Sequence, residues 1–563
     1  MTLDHGNPPI EDQIRQWIKH DPDPVTRNQL IDLTNQQNQD LIKDLFTSRI
    51  RFGTAGLRGE LGPGPNRMNQ LTMRRLAIGL AKYLGEGKRV VLGRDGRYKS
   101  KDFLEDIACV LTANDIDVHI FPTVIPTPLL AFAVRHLETD MGVIVTASHN
   151  PSRDNGCKVY LSDGAQLRTP IDEEIDQLIV GAEFPEIQPL FGNGKRFEID
   201  ETVTEAYCSA IANSVTKQSP NIRIAYTPLH GVAMQLTERV FEQANAGELI
   251  PVQNQRNPDP DFPTVPFPNP EEQGVMDSVI SLAQESKTDL AIAHDPDGDR
   301  LAVAIPTANG GWRSLSGDEI GALLFNHIVT KKSEPNRKVV TTVVCSELVS
   351  KIADFHGVEH ESTLTGFKWI IPAAYKDPSL QPIFCYEEAL GYATNPAVRD
   401  KDGISAALIM AELAAVAKRQ GRSLEEELAN LSLEFGHHVT KTKRIRFTSA
   451  NPNEVIPKVM KEFREKSLST INKMQVQSVK DYSMQDLESN LPTADLIVIN
   501  LEKNVRISIR PSGTEPIIKL YMEKVMYVTE RHDLPRKNIE AKSVLEELSS
   551  WLENAFKELA VAK

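Results

Sequence analysis

Three carboxylates at alternate positions are the feature of this sequence that points most directly to chemistry. Asp295, Asp297 and Asp299 lie in the segment DPDGDR, which joins two short apolar runs. Carboxylates this close together repel one another unless a cation lies among them, and hard oxygen ligands of this kind suit Mg²⁺. An EF-hand calcium loop would end in a glutamate, whereas the corresponding position here is Pro306. The pattern therefore favours a magnesium site on a loop between strands over a solvated acidic turn.

Ser148 is a candidate nucleophile because it follows an apolar run and opens a polar turn, TASHNP at 146–151. A serine hydrolase would favour a GxSxG elbow, which this segment lacks, so acyl transfer is disfavoured. Read alone, the segment is better explained as a structural turn. His149 comes next, but adjacent side chains seldom face one another, so an electrostatic or structural role is favoured over proton transfer.

The segment RPSGTEP at 510–516 has the composition of a phosphate-binding loop. The guanidinium of Arg510 offers a planar fork for two phosphate oxygens, and Ser512 and Thr514 add hydroxyl donors. Gly513 lets backbone amides approach an anion closely. The alternative is an ordinary Ser-Gly turn.

Glu387 and Glu388 follow another apolar run, where they could accept hydrogen bonds from sugar hydroxyls. Alone, such a pair is more often surface charge. The combination is more informative than any one segment. A nucleophile, a divalent-metal loop, a phosphate loop and a hydroxyl-binding loop in one chain indicate phosphoryl transfer to a sugar.

The composition is that of a soluble globular protein with several domains. The chain has 563 residues, of which 40% are hydrophobic and 25% are charged, and no apolar stretch is long enough to span a membrane. The formal net charge of −14 argues against broad nucleic-acid binding. The polar N-terminus lacks the pattern of a signal peptide, and the five scattered cysteines form no CxxC pair. We therefore expect a cytoplasmic protein without a disulfide framework or a zinc site.

These segments need elements to position them, and from about residue 70 the sequence alternates between predicted helices and short apolar strands. Such alternation indicates α/β layers with ligand loops at the strand ends. The predicted helices cover 71–84, 103–114 and 406–417, and the predicted strands cover 89–92, 118–121, 141–146, 222–226, 290–293, 338–344 and 383–386. Residues 257–270 carry six prolines and are predicted to form a surface loop. The period of two at 505–510, a strand at 517–522 and a helix at 538–562 indicate a smaller C-terminal α+β domain.

In this order, the segments resemble the α-D-phosphohexomutase family, which includes phosphoglucomutases and phosphomannomutases. The likeness extends from RFGTAGLRG at 51–59 to the Arg510 loop, and TGFKW at 365–369 with the Glu387 loop is similar to the branch of phosphoglucomutase 2 and the phosphopentomutases. The resemblance implies an α/β protein of four domains around a central cleft: three related mixed-sheet α/β domains and a smaller C-terminal α+β domain. The expected boundaries are 1–50 for a helical extension of domain 1, 51–210 for domain 1 with the phosphoserine loop, 211–315 for domain 2 with the metal loop, 316–440 for domain 3 with the sugar loop, and 441–563 for domain 4 with the phosphate loop.

The resemblance also implies roles for individual residues. Ser148 would be a phosphoserine whose phosphate oxygen binds Mg²⁺ together with Asp295, Asp297 and Asp299. Arg58 and Lys158 match the positions that flank the transferring group, and Lys158 would be a general acid or base if neighbouring cations lower its pKa. His149 completes the catalytic set. The residues assigned to substrate binding are Glu387, Gly366, Lys368, Arg300, Arg510, Ser512, Gly513 and Thr514.

Because of two departures from the family pattern, the sequence does not determine which sugar is the preferred substrate. Ala389 stands where many hexomutases have serine, and Tyr392 stands where some bacterial phosphomannomutases have histidine. Both changes concern the sugar loop and leave the reaction class untouched.

The implied activity is the interconversion of glucose 1-phosphate and glucose 6-phosphate through a phosphoserine enzyme and a bisphosphorylated sugar. One Mg²⁺ per active site and a sugar 1,6-bisphosphate activator are the implied cofactors. Phosphopentomutase, phosphomannomutase and glucose 1,6-bisphosphate synthase are alternatives within the class, and a metal-dependent phosphatase or a phosphosugar sensor are alternatives outside it. The expected partners are small sugar phosphates, with neither nucleic acid nor a membrane, and the sequence leaves monomer and dimer open.

Overall fold

The chain forms two compact units, which are described separately below. The first unit comprises Met1–Ala304 and Gly391–Glu412, and the second comprises Ile305–Leu390 and Leu413–Lys563. The computed structural model describes residues 9–53, 56–181, 184, 192–216, 222–332, 334–447, 452–466, 469–484, 491–512 and 517–561. Among the helices in these ranges, none combines the length and the apolar character needed to cross a bilayer.

The first unit begins with three helices, within the segment 1–50 where a helical extension is expected. They are α1 (Ile10–His20), α2 (Pro24–Asn35) and α3 (Gln39–Thr47). Asp23 caps α2 by accepting from the Val25 N–H, and the rings of Trp17 and Phe46 meet edge to face at 6.2 Å. Such caps and apolar contacts stabilise helices too short to persist alone.

A six-stranded mixed sheet follows in the order β1-β5-β4-β2-β3-β6. Its strands are β1 (Leu57–Glu60), β2 (Arg89–Arg94), β3 (Asp117–Ile120), β4 (Met141–Val145), β5 (Asp154–Leu161) and β6 (Arg196–Glu198), and its helices are α4 (Gln70–Leu84), α5 (Ser100–Ala113), α6 (Thr127–His136) and α7 (Ile171–Val180). β5 lies antiparallel to both β4 and β1, so that Lys158 is opposite Ile144 and Arg58 is opposite Gly156. This register places Arg58 and Lys158 on the strands next to the loop that carries Ser148.

The second sheet of this unit carries the DPDGDR loop. Its elements are α8 (Glu201–Ala212), β7 (Arg223–Thr227), α9 (Met234–Ala244), β8 (Glu248–Pro251), α10 (Asp277–Ser286), β9 (Leu290–Ala293) and β10 (Ala302–Pro306). β7 pairs in parallel with β8 and β9, whereas β9 and β10 are antiparallel with Ala293 opposite Ala302. The three aspartates therefore lie in the loop of a hairpin, as the flanking apolar runs predict.

The second unit begins with β11 (Trp312–Ser314), α11 (Gly317–Lys331), β12 (Arg337–Thr342), α12 (Leu348–Phe355), β13 (Glu359–Thr363), α13 (Phe367–Ala374) and β14 (Gln381–Glu387). Of these strands, β12 pairs in parallel with β13 on one side and β14 on the other. The carboxyl ends of parallel strands lie at one edge, so the Gly366 turn after β13 and Glu387 at the end of β14 share that edge.

After β14 the chain re-enters the first unit, and it then completes the second. β15 (Gly391–Ala393) and the first part of α14 (Gly403–Arg419) belong to the first unit. The later elements are α15 (Leu424–Phe435), β16 (His437–Arg446), α16 (Pro452–Glu465), β17 (Thr470–Ile471), β18 (Met474–Asp481), β19 (Ile497–Leu501), β20 (Val505–Pro511), β21 (Ile517–Met526) and α17 (Leu534–Val561). They form a six-stranded antiparallel sheet, β16-β21-β20-β19-β18-β17, with long helix α17, which confirms the predicted C-terminal α+β domain.

A buried carboxylate joins this C-terminal sheet to the loop after β12. Glu523 accepts from Ser346 Oγ at 2.5 Å and from Arg506 Nη2 at 3.0 Å, and it lies 2.8 Å from His438 Nδ1. Burial opposes ionisation of this carboxyl, but His438 and Arg506 outweigh that effect and lower its pKa to about 2. The ionised carboxylate therefore links the two parts of the second unit.

Candidate active site

The acidic triad is a compact and fully buried cluster. Asp295, Asp297 and Asp299 are each 0% exposed, and one carboxylate oxygen from each lies within 4.8 Å of the others. Gly298 has φ +70°, a left-handed conformation that glycine adopts without steric cost, and it lets the hairpin loop turn all three side chains to one place. Thr127, the first residue of α6, donates to Asp297 Oδ2 at 2.5 Å and fixes that carboxylate.

The triad fits a divalent cation. The Oδ1 atoms of Asp297 and Asp299 are buried and accept no hydrogen bond from the described part of the chain. A buried carboxylate oxygen without a partner is costly, and a cation ligated by those oxygens would remove the cost. The Ser148 hydroxyl donates to Asp295 Oδ2 at 2.7 Å, so a group on that hydroxyl would reach the same place.

Ser148 lies three residues after the end of β4 in an uncommon backbone conformation. Its φ is +51°, and its N–H donates to Thr146 Oγ1 at 2.9 Å. The side chain is 1% exposed. Left-handed backbone at a non-glycine residue is concentrated at functional sites, where the surrounding structure enforces it. The segment 146–151, which the sequence alone explains as a structural turn, is therefore a constrained loop.

His149 differs from the sequence-based expectation that adjacent side chains do not face one another. Its Nδ1 lies 3.1 Å from the Ser148 Oγ, because the left-handed backbone at Ser148 turns the two side chains to the same side. Burial, together with the positive charges of Arg300 and Arg58, holds the pKa of His149 well below its usual value. The site therefore disfavours the protonated form of the imidazole.

Lys158 links β5, the strand after the Ser148 loop, to the triad. Its ammonium lies 2.6 Å from Asp297 Oδ2 and 2.5 Å from Asp299 Oδ2, and its side chain is 2% exposed. The sequence-based expectation of a lowered pKa is wrong for this environment. Burial does oppose the charged form, but Asp297 and Asp299 outweigh burial and raise the pKa of Lys158.

Two arginines add positive charge around Ser148 and the triad. Arg58 Nη1 donates to Asn150 Oδ1 at 3.3 Å, within the Ser148 loop. The Arg300 backbone N–H donates to Asp295 Oδ1 at 3.0 Å, and its guanidinium lies 3.6 Å from Glu271. Burial and Asp297 disfavour ionisation of Asp299, but Lys158, Lys401 and Arg300 prevail and lower its pKa.

Lys401 is a residue of this site that the sequence analysis missed. Its ammonium lies 3.3 Å from Asp299 Oδ2 and 3.4 Å from Asp400 Oδ1. The segment around it is anchored by two buried tyrosines, since Tyr160 donates to Asp400 Oδ2 at 2.6 Å and Tyr207 donates to Asp402 Oδ1 at 3.0 Å. The alternating charges of RDKDG were the available signal, but charge runs of this length are common on surfaces.

The other predicted substrate residues belong to the second unit. Glu387 is buried at the end of β14, Gly366 precedes α13 with φ +114°, and the Lys368 ammonium lies 5.4 Å from the centre of the Trp369 ring. Arg510 is paired within β20 opposite Lys519, and the Ser512 N–H donates to the Ile517 carbonyl at 2.8 Å. Gly513 and Thr514 lie outside the described residues.

A glycine in the loop after β7 allows the metal loop to approach. A Cβ added at Gly231 would lie 2.3 Å from both the Cα and the carbonyl oxygen of Pro296, and the adjacent Val232 N–H donates to that carbonyl at 2.8 Å. We expect Gly231→Ala to displace the DPDGDR loop and to lower the free energy of unfolding by about 1–3 kcal/mol. A displacement near 1 Å should also reduce turnover roughly a hundredfold. Thermal unfolding and steady-state kinetics measure the two effects.

Gly181→Ala is the matched control for this prediction. A Cβ added there would meet only the Gln177 carbonyl oxygen, at 3.7 Å, which is an ordinary contact. Its turnover should stay within twofold of the wild type. Wild-type turnover in a folded Gly231→Ala protein would show that the metal loop tolerates the added methyl group.

Sequence profiles of one family match the chain in order. The profiles described as phosphoglucomutase/phosphomannomutase alpha/beta/alpha domains I, II and III match residues 49–186, 205–310 and 316–434. The profile of the C-terminal domain of the same family matches residues 457–530. The four matches cover most of the chain.

Individual relatives span nearly the whole chain. The phosphopentomutase of Homo sapiens is 33% identical over 564 residues, covering 91% of each chain. A phosphoglucomutase of Staphylococcus aureus is also 33% identical, covering 90% of this chain and 94% of its own. The crystal structure of a phosphoglucomutase/phosphomannomutase family protein from Burkholderia thailandensis aligns with a TM-score of 0.69 at 20% identity, covering 91% of this chain and 98% of that one. Relatives of equal identity carry the names of different sugars, so similarity alone does not choose between them.

Proposed function

Since the chain belongs to the phosphoglucomutase/phosphomannomutase family, we propose that it interconverts glucose 1-phosphate and glucose 6-phosphate through a phosphoserine at Ser148. Family membership makes the chain a phosphohexomutase, an isomerase that moves a phosphoryl group within a sugar phosphate. The observation that carries the proposal is the Ser148 hydroxyl, 2.7 Å from the buried acidic triad at Asp295.

We propose Mg²⁺ as the cation of the triad, one per active site, held by Asp295, Asp297, Asp299 and an oxygen of the phosphoserine. When bound, the ion neutralises charge on the phosphoryl oxygens. The oxygen-only donor set favours Mg²⁺ over softer transition metals. The unpartnered Oδ1 atoms of Asp297 and Asp299 support this assignment.

In the proposed cycle, the bond from Ser148 Oγ to phosphorus breaks as phosphorus bonds to the free hydroxyl oxygen of the sugar monophosphate. As the sugar hydroxyl gives up its proton, Ser148 Oγ takes up a proton as the leaving oxygen, and Lys158 and His149 are the groups proposed to move these protons. The resulting sugar 1,6-bisphosphate turns around and returns its other phosphoryl group to Ser148, whose hydroxyl gives up its proton while the vacated sugar oxygen regains one. Arg58 and Arg300 supply further positive charge, since phosphoryl transfer depends mainly on positioning and electrostatics.

Residues of the second unit are proposed to bind the sugar phosphate away from the reacting group. Arg510 and Ser512, with Gly513 and Thr514, would bind the phosphate that does not react, because a guanidinium and hydroxyls suit its oxygens. Glu387 would accept hydrogen bonds from sugar hydroxyls, and Gly366 and Lys368 would complete the site. The cycle requires this site to bind the sugar phosphate in two opposite orientations. It should therefore recognise a phosphate and only a few of the sugar hydroxyls.

A phosphopentomutase is the second candidate. It is favoured by the human relative of that name, which matches this chain as closely as the bacterial phosphoglucomutase does. Ala389 in the sugar loop also lacks a hydroxyl that could hold a hexose.

A substrate panel tests the proposal. Glucose, mannose and ribose 1-phosphates are each incubated with the enzyme, a 1,6-bisphosphate activator, and Mg²⁺ or a chelator. We expect the highest kcat/KM with glucose 1-phosphate, and loss of activity with the chelator because the triad cation is removed. A higher kcat/KM with ribose 1-phosphate would instead identify the enzyme as a phosphopentomutase. Steady release of inorganic phosphate, or no turnover of any sugar, would contradict the mutase assignment.

A further inference from the structure

Arg97 is a buried cation that the proposed cycle does not use. It lies in the loop between β2 and α5, and its side chain is 1% exposed. A buried guanidinium needs acceptors for its N–H groups and a partner for its charge. The groups around Arg97 therefore indicate what it holds in place.

The guanidinium binds the backbone of the Ser148 loop at four points. Nη1 donates to the carbonyls of Pro151 at 2.7 Å and Asp154 at 3.1 Å. Nη2 donates to the carbonyls of Ser148 at 2.7 Å and Asn150 at 2.5 Å. A planar fork can serve four carbonyls at once, whereas the compact ammonium of a lysine cannot.

The conformation of Ser148 explains why its loop needs such support. Its φ of +51° is unfavourable for a residue with a side chain, so the loop would relax if nothing opposed it. The Ser148 carbonyl is bound by Arg97, and the Ser148 hydroxyl is bound by Asp295. The same residue is therefore held at its backbone and at its reactive oxygen.

Arg97 is itself held from two sides. Asp95 Oδ2 lies 3.4 Å from Nε, and Asp95 Oδ1 accepts from the Arg97 backbone N–H at 3.0 Å. The guanidinium also lies over the Phe262 ring, 4.8 Å from its centre. Phe262 is 3% exposed and has φ +47°, which is rare for so bulky a residue. The proline-rich stretch 257–270, predicted to be a surface loop, thus places a buried ring beneath Arg97.

We propose that Arg97 is a positioning residue that fixes the Ser148 loop in the conformation required for phosphoryl transfer. Phe262 is the support on which its guanidinium rests. The inference rests on the proposed function, because it concerns the reactivity of Ser148 as the phosphoryl carrier.

The test is Arg97→Lys, which keeps the charge and removes the fork. We expect kcat to fall about a hundredfold, the usual effect of misplacing a reacting group by about 1 Å, with KM within threefold of the wild type. The rate at which Ser148 takes up a phosphoryl group from glucose 1,6-bisphosphate, followed by intact mass in a single turnover, should fall by the same factor. A defect confined to folding would lower the amount of active enzyme and leave the rate per folded molecule unchanged.

Arg74→Lys is the matched control. Arg74 is a partly buried arginine on α4, and its Nε lies 2.7 Å from Asp106 Oδ1 on α5. Its kcat should stay within threefold of the wild type. If Arg97→Lys does not fold, Phe262→Leu takes its place, with kcat expected to fall about fivefold at unchanged KM.

Two results would overturn the inference: a folded Arg97→Lys protein with kcat within threefold of the wild type, or, in its absence, a folded Phe262→Leu protein with wild-type kcat. The wild-type enzyme separates this failure from that of the proposed function. If wild-type Ser148 takes up no phosphoryl group from the bisphosphate, the proposed function is wrong. If the wild type and Arg97→Lys take it up at equal rates, only the role of Arg97 is wrong.

Discussion

Replacing Ser148 with alanine is expected to abolish mutase turnover, even with a saturating sugar bisphosphate. The hydroxyl at this position, 2.7 Å from Asp295 and 3.1 Å from His149, is the proposed phosphoryl carrier, and alanine has no oxygen to form or break a bond to phosphorus. Loss of an enzymatic nucleophile typically costs a factor of about a thousand to a million in kcat. Turnover of glucose 1-phosphate in a coupled assay measures the loss.

The same variant should keep its fold and still bind Mg²⁺, because the three triad carboxylates remain. Ser152→Ala, four residues further along the same loop, is the matched control and should turn over within twofold of the wild type. Intact mass after incubation with glucose 1,6-bisphosphate should show one added phosphoryl group on the wild type and on Ser152→Ala, and none on Ser148→Ala. Retained turnover in Ser148→Ala would rule out the phosphoserine cycle.

Asp297→Asn is expected to produce the second-largest loss. The substitution keeps the shape of the side chain and one acceptor oxygen, but it removes a charge from the proposed ligand set and from the partner of Lys158 and Thr127. We expect kcat to fall by at least about a hundredfold, the scale on which preorganised charge contributes to catalysis.

Mg²⁺ binding can be measured without substrate, so the role of Asp297 as a ligand can be tested separately from catalysis. Binding of Mg²⁺ to the folded state alone should raise the Tm of the wild type as the ion concentration increases. The rise should be much smaller for Asp297→Asn, whereas Asp277→Asn, at an exposed position on α10, should behave as the wild type. An undiminished Mg²⁺ response in Asp297→Asn would remove Asp297 from the ligand set.

The local elements of the fold were predictable where hydrophobic periodicity was strong. The strand 290–293 has the predicted bounds, and the predicted helices 71–84 and 103–114 differ from α4 and α5 by at most three residues at either end. Burial of one face sets such patterns, so they are readable from a single segment. The acidic triad was also visible, because its three carboxylates are close together in sequence.

Contacts between distant segments could not be read in this way. Lys401 and Arg97 act on Asp299 and Ser148 only because the fold brings their segments together, and neither has a distinctive local pattern. The approach of His149 to Ser148 depends on one left-handed backbone angle, which nothing in the residue types required. The raised pKa of Lys158 depends on the balance between burial and two carboxylates, and that balance exists only in the folded state.

The re-entry of the chain into the first unit sets an order for biosynthesis. Arg300 pairs with Gly391 as an isolated bridge, Gly403 leaves no room for a side chain against the Arg300 carbonyl, and Lys401 lies beside Asp299. A nascent chain that ends before Gly391 already contains Ser148 and the DPDGDR loop. It still lacks the segment that packs against Arg300, and it lacks Lys401, whose ammonium pairs with the buried Asp299. Completion of the catalytic centre must therefore wait until the ribosome has made residues 305–390 and the segment that follows them.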